Sequence, residues 1–239
     1  QSEALGHRVG FAMRRIAALP ELHADLRETA ATIGGSTMAR SAWLELCRSQ
    51  SGGQVDGTSD QRAILTELKG LLRPVTLIDR IRAFVGSWSD VISFVLMPDD
   101  SDDDWGVRLA RVETEIRSLG SALASDDEAL RILAPELVTG TLPQGFALGV
   151  GLAEGAREFS RPWDQLCAAF RRTSVSERNP SILAGFLKGG SARDPDWVER
   201  VLDAAAKDPT FAGVFVFLQI QVLSGAAALT RLRSSVLAG

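Results

Sequence analysis

The beat of the prolines constrains this chain most. Pro143, Pro162, Pro180, Pro195 and Pro209 recur at near-regular intervals, each where a helix would begin. Proline has a fixed φ and no amide donor, so it suits the first turn of a helix and disrupts the interior. Asn179-Pro180, Asp194-Pro195 and Asp208-Pro209 each read as an N-cap followed by proline at the first helical position. Apolar residues keep the same time: Trp163, Leu166, Cys167 and Phe170; then Ile182, Leu183, Phe186 and Leu187; then Trp197, Val198, Val201 and Leu202. Two such helices make a unit of roughly 33 residues, a period of stacked helix hairpins. A four-helix bundle needs no such regularity. The expected fold is all-α: an α-solenoid over residues 105–239, preceded by a less regular helical segment, 1–98, and an acidic linker, 99–104.

The N-terminal segment shows helical periodicity and almost no strand alternation. Leu5, Val9, Ala12, Ile16 and Leu19 make one apolar stripe, and Pro20 opens the next element with Leu22 and Leu26 inward. Trp43, Leu44 and Cys47 mark a helix after Gly34-Gly35, followed by a loop from Ser51 to Gly57. Ile64, Leu65, Leu68, Leu71 and Leu72 form a strong stripe ended by Arg73-Pro74, and Leu77, Ile78, Ile81, Phe84 and Val85 form another. Val91 to Met97 is rich enough in β-branched residues for a strand but has no partner, so a short helix or extended connector is expected. Asp99, Asp100, Asp102, Asp103 and Asp104 read as solvated linker leading into a helix N-terminus, and the calcium-loop pattern is missing. Trp105, Leu109, Val112, Ile116 and Leu119 then mark a long helix, and Ser125 with Glu128 reads as a capping box for its successor.

A net charge of −4 provides no global basic field to recruit nucleic acid or an anionic membrane, though the chain from Arg161 onward is its more basic part. There are 23 Arg and three Lys, a bias expected of a GC-rich bacterial genome. Cys47 and Cys167 both lie in helical apolar patterns and are expected as buried free thiols. No signal peptide opens the chain and Gln1 is no initiator, so a cytoplasmic piece of something longer is expected. The charge-free run from Phe211 to Leu229 is long enough to span a bilayer. Gln219, Gln221 and the turn signal Ser224-Gly225 argue instead for a buried helix, a turn and a further helix from Ala226 to Leu237, with Phe211, Val214, Phe215 and Leu218 packed on the helix of Val198, Val201 and Leu202. No membrane partner is expected.

Three segments carry a resemblance: Leu148 through Gly155, Leu183 through Gly189, and Arg193-Asp194-Pro195 continuing to Val201-Leu202-Asp203 and Asp208-Pro209. Together they resemble HEAT-like helical repeat regions of large bacterial proteins, which follow a nucleotide-binding or effector part and serve in some cases in anti-phage defence. The resemblance spans Leu71 to Gly239. It implies a HEAT-like solenoid acting as scaffold or sensor and transfers no catalytic residue.

The candidate chemistries divide accordingly. Gly145, Gly149, Gly151 and Gly155 include a Gly-x-Gly, but no Lys-Ser/Thr follows and no strand precedes, so close helix packing is expected instead of a phosphate loop. His7 and His23, the only histidines, have no ligand cluster at zinc spacing, and His23 is expected as an exposed helix residue. No serine sits in a nucleophile-elbow context. Trp43, Trp105, Trp163 and Trp197 fall on apolar stripes, which leaves Trp88 as the one expected in solvent. No catalytic, cofactor or metal site is expected, and the expected function is a non-catalytic scaffold that binds a protein partner or other domains of its parent chain. The alternative is nucleic-acid backbone binding through Arg171, Arg172, Arg178, Arg231 and Arg233, although the first two also suit the carbonyl end of a helix.

Overall fold

The structure, a computed structural model, describes residues 2–50, 58–87, 104–222 and 225–238. Trp88, the run 91–97, the loop 51–57 and the acidic residues 99–103 lie outside the described residues. Among the described residues every regular element is a helix, with one isolated bridge between Thr139 and Arg178. The chain divides into two compact units, Gln1–Val112 and Glu113–Gly239.

The first unit holds α1 (Ser2–Ile16), α2 (His23–Ile33), α3 (Thr37–Gln50), α4 (Ser59–Leu72) and α5 (Leu77–Val85). Thr58 and Thr76 start α4 and α5 by accepting from the amides of Gln61 (3.2 Å) and Asp79 (3.1 Å). The Leu5 stripe of α1 is not its packing face. Leu5 and Leu19 are exposed, whereas Gly6, Gly10, Met13 and Ala17 are buried. The cause is backbone approach: a Cβ on Gly6 would lie 2.6 Å from Ser41 Cβ, and one on Gly10 would lie 2.8 Å from the Ala42 carbonyl. The smallest side chains therefore set the contact with α3, and larger apolar ones fall to the flanks. In α4, Ile64, Leu65, Leu68 and Leu72 are buried while Leu71 faces out. Trp43 meets Phe84 edge to face with centroids 6.0 Å apart.

The second unit takes most of α6 (Trp105–Leu123), then α7 (Asp127–Leu137), α8 (Gly145–Gly155), α9 (Ser160–Arg172), α10 (Ser181–Ser191), α11 (Pro195–Ala205), α12 (Phe215–Ile220) and α13 (Gly225–Ala238). Trp105 and Leu109, expected on the core stripe of α6, are exposed, and burial begins at Val112 and continues through Ile116, Leu119 and Leu123. The cap of α7 is Asp126, not Ser125: its carboxylate accepts from the Ala129 amide at 2.9 Å, and Glu128 turns to Arg131 instead of closing a capping box. Asp194 caps α11 with Pro195 at its first position, as the dipeptide predicts. Asp208-Pro209 starts only a single 3₁₀ turn, Pro209–Phe211.

Glycines bring α6, α8 and α10 together. A Cβ on Gly120 would lie 2.7 Å from the Leu152 amide, one on Gly155 2.6 Å from Ser121 Cα, and one on Gly185 2.8 Å from the Phe146 carbonyl carbon. The glycine string thus serves packing. Helix α7 contacts α9. Connecting turns also meet: Asn179 donates its amide to the Val138 carbonyl at 2.8 Å and its Nδ2 to the Gly140 carbonyl at 2.6 Å. Gly140 takes φ +68° there, a conformation that favours glycine.

The charge-free stretch is broken. After the turn at Pro209–Phe211, α12 ends at Ile220 and α13 begins at Gly225. Phe211, Phe215 and Leu218 are buried and Val214 is half-buried. Phe211 stacks on Phe170 of α9 at 5.6 Å. Helix α12, expected on α11, packs against α10 and α13, and of this stretch the turn Pro209–Phe211 is the part that lies against α11. Among the described residues no helix is long and apolar enough to cross a membrane.

Candidate functional site

The late arginines divide by what their donors reach. Arg171 and Arg172 close α9, where cations meet the carbonyl end of the helix dipole. Arg171 pairs with Asp208 at 3.1 Å and lies over the Phe211 ring, 5.9 Å from its centroid. Arg172 and Arg233 are exposed. Arg178 donates Nε to the Thr173 carbonyl (3.0 Å), Nη1 to that of Thr210 (3.1 Å) and Nη2 to that of Arg171 (3.4 Å), while sitting 5.2 Å above Phe170. Arg231 is 8% exposed and reaches Gln219, Asp203 and Glu199. The structure therefore gathers Arg171, Arg172 and Arg178 at the end of α9 and places Arg231 and Arg233 on α13. Arg178 and Arg231 direct their donors at protein acceptors.

Arg193 does the same and was missed by inspection of the sequence. Its Nη1 donates to the carbonyls of Ala153 (2.5 Å), Glu154 (3.0 Å) and Ala156 (2.8 Å), covering the C-terminal end of α8. Its guanidinium stands 5.0 Å from the Phe159 ring. All three bonds come from Nη1, and the planar guanidinium adds a contact over the ring that a compact ammonium makes less well. The signal was present: Arg178-Asn179-Pro180 and Arg193-Asp194-Pro195 place arginine directly before the Asx-Pro pair.

Between α9 and α11 lies a groove of about 490 Å³. Trp163, Trp197 and Phe211 line it and are buried to 8%, 9% and 3% residual exposure, so they form its floor. The indoles meet edge to face at 6.0 Å. Asp164, Arg171, Arg200 and Asp208 supply a rim with both signs of charge. Thr210 holds the Asp208 carboxyl below its ordinary value through its side-chain and backbone hydrogen bonds, with a further contribution from Arg171. An apolar aromatic floor under a mixed polar rim suits insertion of a polypeptide side chain. A smaller cleft of about 330 Å³ contains the Asp127–Arg161 ion pair (2.7 Å), and one of about 190 Å³ in the first unit is lined by Gly34, Gly35, Leu71 and Pro74.

Groups suited to covalent or acid–base chemistry are placed elsewhere. Burial pushes the Cys47 thiol up to about 11 and the Cys167 thiol up to about 12, which suppresses the reactive thiolate. His23 is half-buried, not exposed, because its Nε2 lies 3.0 Å from the Ala17 carbonyl. His7 Nδ1 stands 3.5 Å from Glu45. Among the described residues no group of three His, Cys, Asp or Glu side chains is placed to hold a metal ion. Comparison with protein-family models, curated proteins and solved structures finds no match for the chain.

Proposed function

We propose that the chain is a HEAT-like α-solenoid segment serving a larger bacterial protein as a non-catalytic scaffold, binding a protein partner or other domains of the same parent chain. The groove between α9 and α11 carries this reading, because its aromatic floor and mixed-charge rim have the composition of a protein contact surface. The recurrence of elements supports the repeat. Helices α8 and α10 begin at Gly145 and Ser181, and α9 and α11 at Ser160 and Pro195, steps of roughly 35 residues that match helix-hairpin repeats. Thr139 and Thr173 occupy equivalent places after α7 and α9, donating to the carbonyls of Pro135 and Ala169.

Site-specific photocrosslinking tests the proposal. A photoreactive residue at exposed Arg200, on the groove rim, should trap a discrete protein or another part of the parent chain. The same residue at exposed Ser118 on α6 should not. Adducts that do not depend on position would defeat the scaffold reading. The nucleic-acid alternative rests on Arg171, Arg172 and Arg233, since Arg178 and Arg231 are directed inward. Adducts to RNA or DNA, with binding that falls steeply as salt rises, would favour it.

A further inference from the structure

The polar groups of the groove between α9 and α11 satisfy one another at one end and not at the other. At the first end Arg171 pairs with Asp208 at 3.1 Å, and the Asp208 carboxylate also accepts from the Thr210 amide at 2.8 Å. At the other end the indoles of Trp163 and Trp197 meet with centroids 6.0 Å apart. Both residues are more than nine-tenths buried, yet among the described residues neither Nε1–H has a hydrogen-bond acceptor. Neither nitrogen is sealed from solvent, in contrast to Nε2 of Gln219. Both rings line the groove, so these two donors open on it.

The nearby charges leave the donors free. Asp164 and Arg200, both exposed on the rim, have no ion-pair partner among the described residues. Exposed charges of this kind add little affinity, so recognition falls to the indole donors above the apolar floor.

Two indole N–H groups and a guanidinium stand against one free carboxylate, so this end of the groove offers more donors than acceptors. Its complement is a chain with more acceptors than donors. A helix has already bonded its interior carbonyls to its own amides, and a strand brings one amide donor with each carbonyl. A proline-rich segment in the polyproline II conformation has carbonyls without internal hydrogen bonds and no amide donor at its prolines. Its rings are apolar and suit an aromatic floor.

We propose that Trp163 and Trp197 form a two-donor site for the main-chain carbonyls of a proline-rich, extended segment of the partner. The proposal deepens the scaffold reading and rests on it. The groove is the contact surface, and acceptor-rich extended chain is what it selects.

The test titrates the full, isotope-labelled chain with a capped oligoproline peptide while the indole N–H resonances are followed. Those of Trp163 and Trp197 should shift saturably, and those of Trp43 and Trp105, which do not line the groove, should stay in place. An alanine-rich helical peptide at the same concentrations should move neither pair. Trp163→Phe keeps a ring on the floor and removes one donor, so it should weaken oligoproline binding on the order of several-fold. The proposal is overturned by no saturable shift at Trp163 and Trp197, by an equal shift at Trp43 and Trp105, by an equal response to the helical peptide, or by unchanged affinity of the phenylalanine variant. Should Trp163→Phe not fold, substitutions at Trp43, Trp88 and Trp105 assign the other two of the five indole resonances by elimination, and the titration of the unmutated chain still decides. Failure here leaves the groove reading standing, since crosslinking at Arg200 scores a partner of any conformation.

Discussion

Gly149 and Gly185 face each other across the α8–α10 contact, where a Cβ on Gly149 would fall 3.1 Å from the Gly185 carbonyl carbon. Backbone meets backbone there, so no neighbouring rotamer can yield. Gly185→Ala should destabilise the chain by at least the usual cost of overpacking, about 1–3 kcal/mol. Gly70→Ala is the control, because α4 has open space at that position and nothing within 4 Å of the added atom. It should stabilise by about 0.4–1 kcal/mol. Urea unfolding of both variants decides, and effects of the same sign would refute the packing role.

Arg178 joins the end of α9 to the turn that follows α11, through the carbonyls of Thr173, Arg171 and Thr210. Arg178→Ala should lower stability by about 1.5–3 kcal/mol, the range for hydrogen bonds from a charged donor. Arg178→Lys should recover only a small part, since an ammonium cannot present the same fork. Full rescue by lysine in thermal melts would show that charge alone matters.

Phe215 is 1% exposed at the start of α12. Phe215→Ala should cost about 3–5 kcal/mol, as aromatic truncations in cores do. Phe217, at 37% exposure on the same short helix, should tolerate alanine with a much smaller change. Comparable melting shifts for the two variants would contradict the burial pattern.

Asp208 gives a pH test. Its folded value is depressed, so its contribution is present above the unfolded value of about 3.9 and is lost as pH falls through the lower folded value. Asp208→Asn keeps a capping side chain and removes the charge. Near neutral pH the variant should be less stable by roughly 0.2–1 kcal/mol, the scale of a partly exposed pair. The gap should close below about pH 3.9, as wild-type Asp208 becomes protonated. A gap that stays constant down to pH 2 would assign the effect to shape instead of charge.

Helix starts were legible at Asp194-Pro195 before Trp197 and Val198, where punctuation and apolar period agreed. By contrast, Pro180, not Asn179, is the cap residue of α10, and Asp208-Pro209 opens only a 3₁₀ turn. The packing face of α1 was not legible, because an apolar stripe reports transfer free energy while Gly6 and Gly10 report how closely two backbones approach. The exposure of Trp105 and Leu109 was equally invisible, since periodicity locates a face without saying how far along the helix a neighbour extends. Arg231 looked like a surface cation because its partners Glu199, Asp203 and Gln219 are distant in sequence. The groove between α9 and α11 could not be read either: Trp163 and Trp197 announce burial, and only the three-dimensional arrangement leaves a cleft above them.

The glycine contacts have a mechanical consequence. Helices α6, α8 and α10 touch with no side-chain cushion between them, so their spacing can hardly shorten. Helix α10 also contacts both α9 and α11, the two walls of the groove. A shift of α10 against α8 is therefore passed to the cleft over Trp163 and Trp197, and Gly149 and Gly185, which have no side chain to yield, resist that shift.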